Sequence, residues 1–325
     1  MSSIKVIGKY LDQPLLTAGI NKKVPAMLTI GAGAVLADTI LKSPKQERKN
    51  NALKIGLTLT VTAISAVMAP RIAGFITGRN NSKTLSQIKK INTELVDNFL
   101  KSNSVDDKMN SILQKAKGKV LSLKEVKALF GNPKCSQIAN ELIPPPDNIT
   151  SKDIFREIGW LSIYGAIPVL GGITGGIVGD RFTDSKWKEK VPNKLKEGVY
   201  QYLANIFLCN IGAGAALGIL EKLEIKSKGA RCLGMLCGIL ATGVIGGSVI
   251  ANYIGKKVIN PLISKNSKND TRTPELLDLS LHTDDIATIS LLSGLKWIEP
   301  SLPLLYSISG YRAGIGYRNG KENKY

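Results

Sequence analysis

The sequence predicts an all-α protein, a polytopic membrane helix bundle of about five to six spans that carries a soluble helical insert. Three observations predict it. Apolar residues gather in blocks of about twenty, the length that crosses roughly 30 Å of hydrocarbon at about 1.5 Å per residue. Lysine and arginine flank these blocks and seldom interrupt them. Glycine recurs every four residues inside several blocks, a spacing that costs helix stability in water but lets neighbouring helices approach closely in lipid. Average values conceal this segregation, because 43% hydrophobic content and a mean hydropathy of +0.04 would also fit a water-soluble chain.

The blocks divide the chain into residues 1–79 with the first two spans, an insert over 80–150, and a C-terminal bundle over 151–325. The first span is Val24 to Leu41, bracketed by Lys22 and Lys23 before it and by Lys42, Lys45, Arg48 and Lys49 after it. The second begins near Ile55. Stopping at Ala69 would give only roughly 22 Å of helix, so it must pass Pro70 and Arg71 and end near Thr77, with the arginine snorkelling. Trp160 to Val178 forms the third span and carries Gly171, Gly175 and Gly179, with Gly172 and Gly176 beside them. Val199 to Leu220, the fourth, repeats the device at Gly214 and Gly218 and holds Gln201, Asn205 and Asn210. The fifth, Cys232 to Ile254, has the pairs Gly234/Gly238 and Gly243/Gly247 and no interior charge. The stretch Ile286 to Gly310 is long enough to cross, but Lys296, Glu299, Pro300 and Pro303 interrupt it. Two central charges cost roughly 5–7 kcal/mol of insertion, so two half-helices broken at Pro300 are expected.

The insert reads as water-soluble helices. Ile88, Ile91 and Leu95, and again Leu123, Val126 and Phe130, recur at helical spacing, and Ser122 with Glu125 has the form of a capping box. Pro144, Pro145 and Pro146 make a stiff connector into the third span.

A balance of 44 Lys+Arg against 25 Asp+Glu gives +19. Because the basic residues sit beside apolar blocks and aromatics are only 6% of the chain, the excess points to anionic lipid at basic loops and away from nucleic acid. The positive-inside count leaves orientation open, since loops on both sides are basic. Cys135, Cys209, Cys232 and Cys237 form no CxxC pair and read as small hydrophobes. Met1 to Leu16 lacks the apolar core of a cleavable signal. The Lys-, Asn- and Ile-rich composition suggests a bacterial cytoplasmic membrane.

No constellation points to an enzyme, a cofactor or a metal. GxxxxGK[ST] and GxSxG are both missing, and Gly31-Ala-Gly33 and Gly212-Ala-Gly214 lack the third glycine of a dinucleotide loop. His282 beside Asp284 and Asp285 reads as a helix start capped by Thr283. The candidate intramembrane polar residues are Asp38, Asn205, Lys296 and Glu299. Asp38 can pair with Lys42 one turn on, Asn205 shares a face with Gln201, and Lys296 can neutralise Glu299. A further weak similarity links Arg71–Asn80 to Arg312–Asn319, as duplicated hairpins in transporters would. The leading expectation is a non-enzymatic, glycine-packed bundle with a structural or assembly role, able to form a homo-oligomer. The alternative is a transporter or channel for a small solute or ion, with its polar site at the broken last helix.

Overall fold

The computed structural model describes residues 3–78, 83–144, 151–225, 228–263, 271–275, 278 and 300–317. Among these residues the regular structure is helical throughout. Two compact units divide the chain: residues 1–23, 82–149 and 289–301 in one, and 24–81, 150–288 and 302–325 in the other.

The smaller unit is built from α1 (Ser3–Leu11), the first turns of α2 (Pro14–Lys42), α4 (Leu85–Ser102), α5 (Asp107–Ala116), α6 (Leu123–Gly131) and α7 (Ser136–Leu142). Local chemistry fixes where its helices start. Ser122 Oγ accepts from the Glu125 amide while the Glu125 carboxylate accepts from the Ser122 amide at 2.6 Å, closing the expected capping box. Thr84 and Gln87 form a second box, and Asp106 caps α5 by accepting from the Met109 amide at 2.7 Å. The apolar faces that these starts set in register meet around Val96, Leu113, Val126, Leu129 and Cys135, all fully buried. Gln13 ties the start of α2 to this core. Its amide donates to the carbonyls of Leu121 (2.9 Å) and Tyr10 (3.0 Å), and its oxygen accepts from the Leu121 amide at 2.7 Å. Gln13→Ala would leave the buried Leu121 amide unpaired. It should therefore cost about 1–3 kcal/mol, readable as an earlier urea transition of the full protein.

The larger unit holds α3 (Arg48–Thr77), α8 (Ser151–Thr183), α9 (Trp187–Tyr202), α10 (Leu208–Lys222), α11 (Lys228–Ile239), α12 (Ser248–Ile254), α13 (Asn260–Ile263) and α14 (Leu302–Ile315). π-helical turns at Leu203–Phe207, Leu240–Gly247 and Gly255–Ile259 join α9 to α10, α11 to α12 and α12 to α13. Five helical stretches are long and apolar enough to cross a membrane: Pro14–Lys42, Arg48–Thr77, Phe155–Thr183, Trp187–Lys222 and Leu233–Ile263. The protein is an all-α membrane bundle. α3 runs unbroken through Pro70 and ends where Gly78 turns left-handed (φ 66°) and its amide returns to Gly74 O, a backbone state that glycine adopts without strain. Arg71 is exposed. Pro303 sits in the first turn of α14, where a missing amide costs nothing, and the half of the expected broken element before Pro300 lies outside the described residues.

Glycine sets the helix spacing in this unit. One side of α8 lies against α3, which runs antiparallel to it: a Cβ at Gly175 would stand 2.9 Å from Leu57 O, one at Gly179 would stand 2.8 Å from Lys54 O, and one at Gly171 would strike Ser65. The neighbouring side lies against α14, where Gly172 faces Gly310 and Gly176 faces Gly314 in parallel register. α10 meets the α11–α12 stretch in the same way. Gly238 abuts Gly212 and Ala216, Gly243 abuts Cys209, Gly247 lies on Ala204, and Gly234 meets Leu220. Gly214 faces Phe155 and Ile158 of α8, and Gly218 is half-buried. Gly33 in α2 has open space where a Cβ would go. Gly172→Ala should therefore lower the melting temperature of the detergent-solubilised protein sharply, whereas Gly33→Ala should leave it unchanged or raise stability by up to about 1 kcal/mol.

Candidate functional site

One face of α9 is polar although it is buried. Lys194, Glu197, Gln201 and Asn205 follow one another at spacings of three, four and four, which stacks them on one side of a helix. None is more than 3% exposed. Their side chains form a ladder: Gln201 Nε2 donates to Glu197 Oε1 at 2.8 Å, and Asn205 Nδ2 donates to Gln201 Oε1 at 2.9 Å. From Lys194 to Asn205 the ladder spans roughly 16 Å. Its last rung lies in the π turn Leu203–Phe207, the kind of irregularity that often accompanies a functional position.

At the first rung, the close contact of Gly179 with Lys54 brings the end of α8 to the start of α3. Asp180 Oδ1 lies 3.1 Å from Lys54 Nζ, and Asp180 Oδ2 lies 3.0 Å from Lys194 Nζ. Lys194 also donates to Gly314 O of α14. Burial of such charges costs several kcal/mol per ion unless they are paired, which is the condition this triad meets.

At the second rung the chain beyond α13 returns. Arg272 is fully buried between the rings of Tyr200 (4.6 Å from its guanidinium carbon) and Tyr317 (5.2 Å). Its Nε lies 3.3 Å from Glu197 Oε2, and its Nη2 donates to both oxygens of Asp278 at 3.0 and 2.9 Å. Asn252 of α12 holds the backbone at this point, accepting from the Arg272 amide and donating to the Arg272 carbonyl, each at 2.8 Å. Arg312 of α14 completes the set. Its Nη2 donates to Glu275 Oε2 at 3.0 Å, and its Nη1 lies 3.3 Å from Asp278 Oδ1. Asp278 also faces Asn205 Nδ2 at 3.4 Å, so the ladder and the ion cluster are continuous.

Through these contacts four cations (Lys54, Lys194, Arg272, Arg312) meet four carboxylates (Asp180, Glu197, Glu275, Asp278). Burial works against the charge of Glu275, but the Tyr317 hydroxyl, Arg272 and Arg312 outweigh it and hold the carboxyl below its ordinary range. Burial also pushes the Tyr317 phenol up, with Glu275 adding to the effect. A depressed carboxyl stabilises the folded state above its unfolded pKa and loses that contribution as pH falls through its folded value. The Glu275 contacts should therefore weaken at acid pH, below about 4.

Of the polar residues singled out by sequence, Asn205 joins this network. Asp38 does not: it is exposed on α2, paired with Lys42 at 2.9 Å. Lys296, Glu299 and His282 lie outside the described residues. Sequence reasoning missed Glu197, Asp180, Lys194, Arg272, Asp278 and Arg312. Lys194 and Glu197 were detectable, because they continue the Gln201/Asn205 face towards the helix start. Arg272 and Asp278 gave no signal, since nothing in their polar stretch shows that it is buried. No known protein family, curated protein or solved structure matches this chain.

Removing the Arg272 charge would take the nearest cation from Glu197 and Asp278 in the interior and leave Arg312 to face both. Arg272→Ala should cost about 3–5 kcal/mol by thermal denaturation in detergent. Arg272→Lys should recover only part of this, because an ammonium cannot make the same forked contacts to two carboxylates.

Proposed function

We propose that this integral membrane protein binds and passes a small polar solute along the α9 face, without covalent chemistry. The observation that carries the reading is the buried polar face of α9 from Lys194 to Asn205, whose hydrogen bonds run unbroken from Glu197 through Gln201 and Asn205 to Asp278. Ionisable and amide groups at such a position are expensive, and a pathway is the usual reason that a membrane protein keeps them. The glycine-packed trio α3, α8 and α14 would serve as a rigid wall. The stretches with π turns, α9–α10 and α11–α13, are the elements with room to shift.

Proteoliposomes should show uptake from a panel of small charged and zwitterionic solutes. Asn205→Leu should abolish that uptake while changing stability by only about 1 kcal/mol, the typical worth of a side-chain hydrogen bond within a membrane bundle. Unaltered flux in the variant would reject the pathway.

A second reading, assembly of several copies, draws on a different observation. α2 leaves Gly31, Gly33 and Ala34 exposed, with open space where a Cβ at either glycine would go. Small residues of this kind suit close helix contact in lipid, and the basic residues at the ends of α2 and α3 suit anionic headgroups. Gly33→Leu should then shift the particle to a smaller size in mild detergent. An identical elution volume for the variant and the parent would remove this reading.

A further inference from the structure

The described residues after α13 tie three helices together through polar groups. Asn252 of α12 accepts from the Arg272 amide and donates to the Arg272 carbonyl, each at 2.8 Å. Arg272 then lays its guanidinium against Tyr200 and Glu197 of α9, and Asp278 faces Asn205 at 3.4 Å. Glu275 reaches α14 by accepting from Arg312 at 3.0 Å. Arg272 and Asp278 therefore lie over the ladder of Glu197, Gln201 and Asn205, none of which is more than 2% exposed.

The charges at this contact divide so that each side keeps a pair of its own. On the side of the stretch, Arg272 Nη2 donates to both oxygens of Asp278 at 3.0 and 2.9 Å, and Asp278 also accepts from the Glu275 amide at 2.8 Å. On the side of the helices, Arg312 Nε lies 3.8 Å from Glu197 Oε1. The buried Nε and Nη1 of Arg312 make no hydrogen bond in this arrangement, so donors are in reserve for Glu197. Glu275 has a side chain that is 30% exposed and already reaches water. Parting the two sides strands no ion in the interior, and an ion stranded there is what makes breaking a buried pair costly. Asp180 is different, because its cations come from α3 and α9 and not from the stretch after α13.

We propose that Arg272, Glu275 and Asp278 form a detachable strap that closes the polar face of α9, and that Glu197 and Arg312 close on each other when it lifts. The strap decides when the ladder meets water, and it rests on the solute reading above only for what then passes. Asn252 is the place to loosen it. This side chain holds the backbone at Arg272 without joining the ion cluster, so its removal frees the strap and leaves every charge in place.

The test labels carboxylates of the full chain in detergent with a water-soluble carbodiimide and glycine ethyl ester, read residue by residue by mass spectrometry. In the parent, Glu197 and Asp180 should both be protected relative to the exposed Glu47 and Glu189. Asn252→Ala should raise labelling of Glu197 roughly tenfold or more, the scale set by losing two hydrogen bonds, and should leave Asp180 protected. Unchanged labelling of Glu197 overturns the proposal, and so does a joint rise at Glu197 and Asp180, which would mean that the bundle loosens as one. If Asn252→Ala does not fold, the parent decides: the Arg272 amide should exchange at least about tenfold faster than the amides of Glu197–Gln201, because the strap opens without the helix. Equal rates overturn the proposal. Failure of the solute reading is separately visible. Labelling of Glu197 in Asn252→Ala with no gain in uptake by proteoliposomes keeps the strap and rejects passage along α9, whereas a gain in uptake with Glu197 still protected keeps passage and rejects the strap.

Discussion

The contact of α8 with α3 on one side and α14 on the other is the constraint from which the rest of the bundle follows. Two glycine rows, one residue apart, give a single helix two faces without side chains, so two neighbours approach its backbone at once. In lipid this closeness is favourable because packing and hydrogen bonding, more than exclusion of water, hold helices together. It also fixes position along the axis. A glycine cradle tolerates little sliding, and the levels of Asp180, Lys54 and Arg312 are thereby determined to within a fraction of a turn.

That axial precision is what makes the ion cluster tenable. The charged side chains fall into two groups, Asp180 with Lys54 and Lys194, and Glu197, Glu275 and Asp278 with Arg272 and Arg312, and the fully buried members would be costly if displaced by a few ångströms from their partners. The helices therefore have to be placed before the charges can be tolerated. The charges in turn select the register, since a one-turn slip of α14 would part Arg312 from both Glu275 and Asp278. Apolar packing supplies the closeness and electrostatics supplies the uniqueness.

Much of the fold was legible because lipid imposes a simple length rule. Each expected span falls within a longer helix, and the Ser122–Glu125 start in the insert is closed as its residues foretell. Helix ends were less legible, because polar turns extend the helices beyond the apolar blocks; α2 starts at Pro14, ten residues before Val24. Within the site, Asn205 and its neighbour Gln201 could be found, since two amides one turn apart in an apolar run are conspicuous. Glu197 and Lys194 extend that face and were within reach, but Arg272 and Asp278 could not be found. Arg272 lies in a stretch whose composition is that of any surface loop, and its burial is decided by Glu197, Tyr200, Asn252 and Tyr317, each distant in the chain. Charge pairing at long range leaves no local pattern.

The wide turn at Leu203–Phe207 carries a consequence for how such a chain can change over time. An α-helix advances about 100° per residue, so one surplus residue in a turn rotates everything that follows by that amount. The polar edge of α9 and the small-residue edge of α10 therefore owe their mutual angle to a single extra amino acid. A one-codon deletion there would swing Gly212 and Gly214 away from their neighbours while leaving every residue type in place. The mutual angle of the two edges is thus set by the number of residues in the turn as much as by which residues line it.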